Sequence, residues 1–224
     1  MRFEVFNLEL NQGLESSYET GRDEDKFDAT CHHLMVYDKT TRQVAGTYRL
    51  QTAEMAAAGQ GFYSSTHFDL STLPDSVLAE SVEIGRASIA MNHRCLQVLY
   101  LLWCGLGLYL NSKSKRYLFG CAALRSEDRS LGNRIHNYMV KKGYMHPTLR
   151  VTPHPHLDCR GYGPSSLVAT HNDLPPLLRS YFRLGAKICG PPAFDDEFRT
   201  IDYFTFVDPE ELNEDTLSFF RYRP

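Results

Sequence analysis

The chain has 224 residues, 42% of them hydrophobic, which is ample for a sizeable core and argues for one domain over residues 1–224. Its formal net charge of −3 singles out no class of partner. The charge is unevenly spread: between Asn111 and Arg150 nine Lys/Arg stand against Glu127 and Asp128, giving that segment +7 and leaving −10 for the rest.

MRFEVFNLEL (Met1–Leu10) alternates and reads as a first strand, without the positive-then-apolar layout of a secretion signal. A polar helix or loop region follows to Phe27. HHLMVYD (His32–Asp38) and VAGTYRLQT (Val44–Thr52) flank the turn KTTRQ and predict an antiparallel hairpin. TAEMAAAG predicts a short helix ending at Gly59, and FYSSTHFDLSTLPD a loop with a helical turn. LAESVEIGRASI is a strand. Cys95–Leu110 is an apolar helix; its sixteen residues fall short of the roughly 20 that a membrane span needs, so it reads as a central buried helix. RYLFGCAAL (Arg116–Leu124) is a buried strand. Ser130–Met145 is an amphipathic helix with Leu131, Ile135, Tyr138 and Met139 on one stripe. Pro147, Pro153, Pro155 and Pro164 mark an irregular stretch, with GPSS (163–166) and CGPP (189–192) as turns. LPPLLRSYFRLGAKICG is a helix with Pro at its start and Gly at its end, and DYFTFVD (Asp202–Asp208) a closing strand. Hairpin strands mixed with crossover helices argue for an α/β sandwich around a mixed sheet.

Six cysteines show no C-x-x-C pair and no regular spacing, as in reduced cytoplasmic proteins. Thirteen Tyr and thirteen Phe are scattered and form no base-stacking motif, so no nucleic-acid partner is expected. No G-x-S-x-G, Walker A or G-x-G-x-x-G signature occurs.

Three constellations can carry chemistry. In SVEIGRASIA, Glu83 and Arg86 stand three apart in a strand, where they point to opposite faces. Gly85 between them is where a bulge would go. A bulge opens a gap in a sheet that a ligand can fill, with Glu83 as a general base and Arg86 as a carboxylate-binding group. A structural ion pair is the competing reading. Arg49, in the apolar strand AGTYRLQ, either snorkels or binds an anion. In FDATCHHL, Asp28 precedes a strand. The adjacent His32 and His33 point to opposite faces and cannot readily share a metal ion, so no metal site is expected.

FDATCHHLMVYD, VAGTYRLQ, GFYSSTHFDLS, VEIGRASI, LLWCGLGLYL, RYLFGCAAL and LPPLLRSYFRLGAKICGPPAFDDEFRTIDYF, in this order from about Phe27 to Val207, resemble the GNAT-fold N-acyltransferases that make lyso-ornithine lipids. N-acyl amino acid synthases and acyl-homoserine lactone synthases are more distant kin. The resemblance implies an α/β fold with a mixed, mostly antiparallel central sheet, a splayed or bulged central strand, and flanking helices. It implies transfer of a 3-hydroxylated or plain fatty acyl group from acyl carrier protein to the α-amino group of ornithine, with no further cofactor. Glu83 would match the acidic position that helps deprotonate the amine; Arg86 and Arg49 match positions shaping the polar cleft, and Asp28 an acidic position near the entrance. His32 replaces an acidic residue that is frequent in the family and would touch the amine, which leaves glycine, lysine or another amino acid as alternative acceptors. A non-catalytic lipid- or carrier-binding domain is the reading from another class. The region before the long helix, MNHRCLQVL, lacks the glycines that bind CoA pyrophosphate in ordinary GNAT enzymes, which favours a carrier-protein donor. Lys113, Lys115, Arg116 and Arg125 of the +7 segment are the candidate docking residues for that acidic partner. The expected location is the cytoplasm, with peripheral contact at the inner membrane face left open.

Overall fold

The computed structural model describes residues 1–162, 168–212, 214, 217 and 220; Pro164 and the turn at 163–166 lie outside them. Strands β1 (His32–Asp38) and β2 (Gln43–Thr52) form the expected hairpin. The Thr52 side chain accepts from the Met55 N–H and starts a helix at Ala53–Ala58, which ends at Gly59 as expected. A 3-10 turn at Tyr63–Thr66, strand β3 (Phe68–Asp69) and a helical turn at Asp75–Ala79 lead to β4 (Ser81–Ile89). Helix α1 (Leu96–Lys113) then carries the chain to β5 (Tyr117–Leu124), and α2 (Arg129–Lys141) to β6 (Thr152–Pro153). Helix α3 (Pro176–Arg183), β7 (Lys187–Ile188), β8 (Ala193–Asp195) and β9 (Thr200–Val207) complete the order.

The main sheet runs β1-β2-β4-β5-β9-β7, with β8 also on β9, and β3 pairs β6 separately. Only β4 and β5 run parallel, and they pair only over Ser81–Glu83 against Tyr117–Phe119. Beyond that point β4 follows β2 alone. Gly85 lies opposite Arg49, but Ser88 lies opposite Thr47, so β4 spends three steps where β2 spends two. The extra residue is a bulge. Its strained position is Arg86 (φ 47°), next to the expected Gly85. A left-handed backbone at a non-glycine residue costs about 1–2 kcal/mol, so the surroundings must hold it there.

Side-chain alternation assigns the two faces. Tyr48, Leu50, Val82 and Leu118 pack on Val98, Leu102, Leu106 and Leu110 of α1. On the same face Ile201 and Tyr203 meet Ile135 and Met139 of α2 and Leu178 of α3. The other face carries Arg49, Gln51 and Glu83 on β2 and β4, then Phe119, Cys121, Asp202 and Phe204 on β5 and β9. Phe68, Leu70 and Leu73 cover its aromatic part.

Among the boundaries that differ from the sequence reading, three are the most instructive. Met1–Leu10 is not a strand: Glu4–Glu9 forms a wide helical turn, closed by the Leu10 N–H donating to the Val5 carbonyl at 3.0 Å. Arg2 is tied to Asp23 and Asp28, and Phe6 lies beneath the Arg86 guanidinium at 3.8 Å, so tertiary contacts override the local alternation. Helix α2 stops at Lys141, before Gly143 (φ 73°), rather than at Met145. Helix α3 stops before Gly185 (φ 88°), and the following residues become β7. All six cysteines are free thiols, and no described helix is long and apolar enough to cross a membrane.

The gap between β4 and β5 makes opposite demands on two glycines. A Cβ at Gly120 would sit 2.1 Å from the Ile84 carbonyl oxygen, whereas one at Gly85 would meet nothing within 4 Å. Gly120→Ala should therefore lose about 1–3 kcal/mol in urea unfolding through overpacking, and Gly85→Ala well under half of that.

Candidate active site

A cavity of about 840 Å³ fills the gap between β4 and β5 and passes through the sheet. Arg49, Tyr63, Glu83, Asp195 and Asp202 line one end. Leu99, Leu102, Leu124, Leu174, Leu178 and Tyr181 line the other. Strand alternation and the bulge create this division, because the polar side chains share one face of the sheet and the leucines lie on the opposite face, from α1, α3, the residue Leu174 ahead of α3, and the end of β5.

Glu83 is 5% exposed and has no ion-pair partner among the described residues. It caps the 3-10 turn that lies over the sheet: the Tyr63 N–H donates to Oε2 at 2.8 Å and the Ser64 N–H to Oε1 at 2.6 Å. Burial raises its pKa above the ordinary carboxylate value, and the Ser64 and Tyr63 donors only partly offset that rise. Glu83 and Arg86 are thus not partners. The Arg86 guanidinium pairs with Asp23 and stacks between the Phe6 and Phe198 rings. Burial, and then the like charge of Arg2, depress its pKa to about 9.

Asp23 belongs to a network of three arginines and three aspartates that ties residues 23–28 down over β2 and β4. Arg2 donates to Asp23 at 2.7 Å and to Asp28 at 2.7 and 3.0 Å. Arg49 donates through Nη1 to both Asp25 oxygens at 2.6 Å and reaches Asp28 at 3.4 Å. Burial works against the Asp28 carboxylate, but Arg2 and the Asp25 N–H win and hold its pKa below the usual range. Asp28 therefore organises Arg2 and Arg49, and it does not line the cavity. His32 is likewise away from the cavity, at 2.8 Å from the Tyr109 hydroxyl, while His33 turns the other way, toward Asp28.

The four basic docking candidates separate. Lys115 is engaged by Glu54 at 2.5 Å, and Arg116 by Asp208 at 2.6 Å and Glu210 at 3.0 Å. Lys113 lies over the Tyr109 ring at the C-terminal end of α1. Arg125 follows the far end of β5, about 26 Å away at a strand's rise per residue, and it is the member of the four that lines the cavity. The basic segment is thus a sum over both ends of a strand, and the four residues do not form one patch.

The sequence reading missed the floor of the polar end. Asp195 closes its own turn by accepting from the Glu197 and Phe198 N–H groups at 2.8 and 2.9 Å. Its other oxygen accepts from the Tyr63 hydroxyl and lies 3.2 Å from His67 Nε2. Burial would discharge His67, but Asp195 and Asp202 outweigh it and raise its pKa. Ligand-type atoms of His67, Cys121 and Asp202 lie within 4.8 Å of one another. Burial pushes the Cys121 thiol well above its usual pKa. One signal was legible: Asp202 in TIDYFTFV is a carboxylate in an apolar strand, the same oddity that marks Glu83.

Comparison with known proteins identifies the family. Residues 1–104 match the family model described as an acetyltransferase (GNAT) domain. A protein named L-ornithine N(alpha)-acyltransferase from Brucella abortus is 30% identical, with the match covering 98% of this chain and 82% of that protein. One of the same name from Agrobacterium fabrum is 27% identical over 98% of this chain and 79% of its own length. Among solved structures, a CoA-dependent acyl-homoserine lactone synthase superposes with a TM-score of 0.50 at 14% identity, covering 98% of this chain and 76% of that one, a likeness of fold. With a through-sheet cavity of the kind an acyl group and an amine can share, and with these relatives, the chain is an acyltransferase that belongs to the L-ornithine N(alpha)-acyltransferase family.

Proposed function

We propose that this enzyme moves a fatty acyl group from acyl carrier protein to the α-amino group of ornithine, giving a lyso-ornithine lipid. The observation that carries the reading is the division of one cavity into an apolar end and a polar end, with buried Glu83 at the polar end. The acyl chain occupies the leucine-lined end, where burial of its methylenes contributes about 0.8 kcal/mol each. The amino acid occupies the other. Arg49 bonds Asp25 and Asp28 through Nη1 alone, which leaves its remaining guanidinium N–H groups for the acceptor's α-carboxylate.

An ammonium cannot attack a thioester, so the α-amine first gives a proton to Glu83, directly or through water. A carboxylate whose pKa is raised by burial is a stronger base than an exposed one. The amine nitrogen then bonds to the thioester carbon. The resulting oxyanion is met by backbone N–H groups of β4 beyond Glu83, where the ladder to β5 has ended. Collapse breaks the C–S bond, and the phosphopantetheine thiolate leaves and takes up the second proton that the attacking nitrogen loses. The donor's phosphate suits the N-terminus of α1, an eighteen-residue helix whose N-cap residue, Cys95, makes no side-chain capping bond. The carrier protein approaches at Arg125, exposed beside the cavity, and not at Lys113, Lys115 or Arg116 on the opposite end of the sheet.

Loaded acyl carrier protein and, separately, acyl-CoA should be offered with a mixture of amino acids and the products identified by mass spectrometry. N-acylornithine from the carrier donor is expected, and a product formed from acyl-CoA alone would remove the carrier from the reading. Glu83→Gln should lower kcat by roughly 10²–10⁴-fold and abolish the acid limb of the pH–rate profile; an unchanged profile would show that another group takes the proton. Arg125→Glu should raise KM for the carrier protein with little change in kcat, and the difference should shrink at high salt.

A further inference from the structure

Asp202, on the floor of the polar compartment, has no ion-pair partner among the described residues, although His67 and Arg86 attract it from farther off. It is 2% exposed, it lines the cavity, and its hydrogen-bond partners are neutral: the Thr200 hydroxyl at 3.1 Å and the Cys121 thiol. The neighbouring charges are already matched. His67 is engaged by Asp195 and Arg86 by Asp23, and no Lys, Arg or His nitrogen lies within ion-pairing distance of Asp202 among the described residues. The floor therefore holds one surplus negative charge in a buried place, an arrangement that is costly unless a ligand supplies the counter-charge. Burial and the adjacent Asp195 raise the Asp202 pKa to about 6, so at pH 8 the group is ionised.

The spacing leaves room for a diamino acid. The Ser64 N–H is 2.6 Å from Glu83, the Ser64 hydroxyl is 3.4 Å from the Cys121 sulfur, and that sulfur is within 4.8 Å of an Asp202 oxygen. The two carboxylates are thus at most about 14 Å apart once the serine's own N-to-O span is allowed for. Extended ornithine separates its nitrogens by about 6 Å, and a hydrogen bond at each end brings the span to about 12 Å. Resting on the acceptor reading above, we propose that Asp202 is the counter-ion for the side-chain ammonium of the acceptor, so that the floor of the polar compartment is a cation subsite selecting diamino acids.

The test compares ornithine with norvaline, the neutral amino acid that lacks its side-chain amino group, as competing acceptors for the full-length enzyme at pH 8. Wild type should prefer ornithine in kcat/KM by roughly 10²-fold or more, because norvaline leaves the buried charge unpaired. Asp202→Asn should cut that ratio at least tenfold, chiefly through KM for ornithine. Its Tm should be no lower than that of wild type, since a neutral amide replaces an unpaired buried charge. Asp202→Glu should keep the preference for a charged side chain but shift it toward the shorter 2,4-diaminobutyrate. A wild type that uses norvaline as well as ornithine overturns the subsite without any variant. So does Asp202→Asn if it loses both acceptors equally and melts lower, as a structural aspartate would. Acylation of neutral amino acids but not ornithine overturns both the subsite and the choice of acceptor, whereas no acylation of any amino acid overturns the proposed function itself.

Discussion

The parting of β4 from β5 after Glu83 is the constraint on which the rest of the molecule depends. Three residues of β4 against two of β2 flip the alternation once, so that Glu83 and Gly85 before the bulge and Ser88 after it share a face with Arg49. The ladder to β5 ends where this begins. The cavity is the space that the missing ladder leaves. It joins a polar face to an apolar one because a sheet always presents different side chains on its two sides.

Holding that gap open needs rigidity from elsewhere, and the arginine–aspartate network provides it. Arg86, the strained residue of the bulge, is fixed by Asp23 and by two aromatic rings. Asp23 is shared with Arg2, and Arg2 reaches Asp28, which Arg49 also touches. Removing any one partner would leave a buried charge uncompensated, which is far more costly than an exposed ion pair is stabilising. The network thus converts a flexible acidic segment into a wall of the site. The N-terminal helical turn, anchored through Arg2, contributes Val5, Phe6 and Leu10 to the cavity lining.

Much of this was legible in the residues, and the reasons for the rest are physical. The β1–β2 hairpin, β4, α1, β5 and β9 follow from alternation and apolar runs, which burial imposes directly. Glu83 stood out because a carboxylate in an apolar strand is rarely accidental; Asp202 carries the same mark and passed unnoticed within an aromatic strand. The N-terminal segment was misread because its alternation satisfies a strand as well as a helix, and the tie between Arg2 and residues more than twenty positions away decides between them. The basic segment misled in another way. Charge summed along a sequence ignores that a strand carries its two ends some 26 Å apart, so Lys115 and Arg125 act on different surfaces.

Local spacing and the cost of hiding polar groups set most of the strands and helices after the N-terminal segment, the position of the irregularity near Gly85, and the presence of buried charges. Which charges meet depends on long-range packing. Glu83 and Arg86, three apart in the chain, turn to different partners: Glu83 caps a turn formed twenty residues earlier, and Arg86 pairs with Asp23. Likewise it is the β5–β9 pairing, together with the loop that carries His67, that brings Asp202 beside Cys121 and into the compartment of Glu83. Pairing across a sheet is non-local, and no window along the chain contains it.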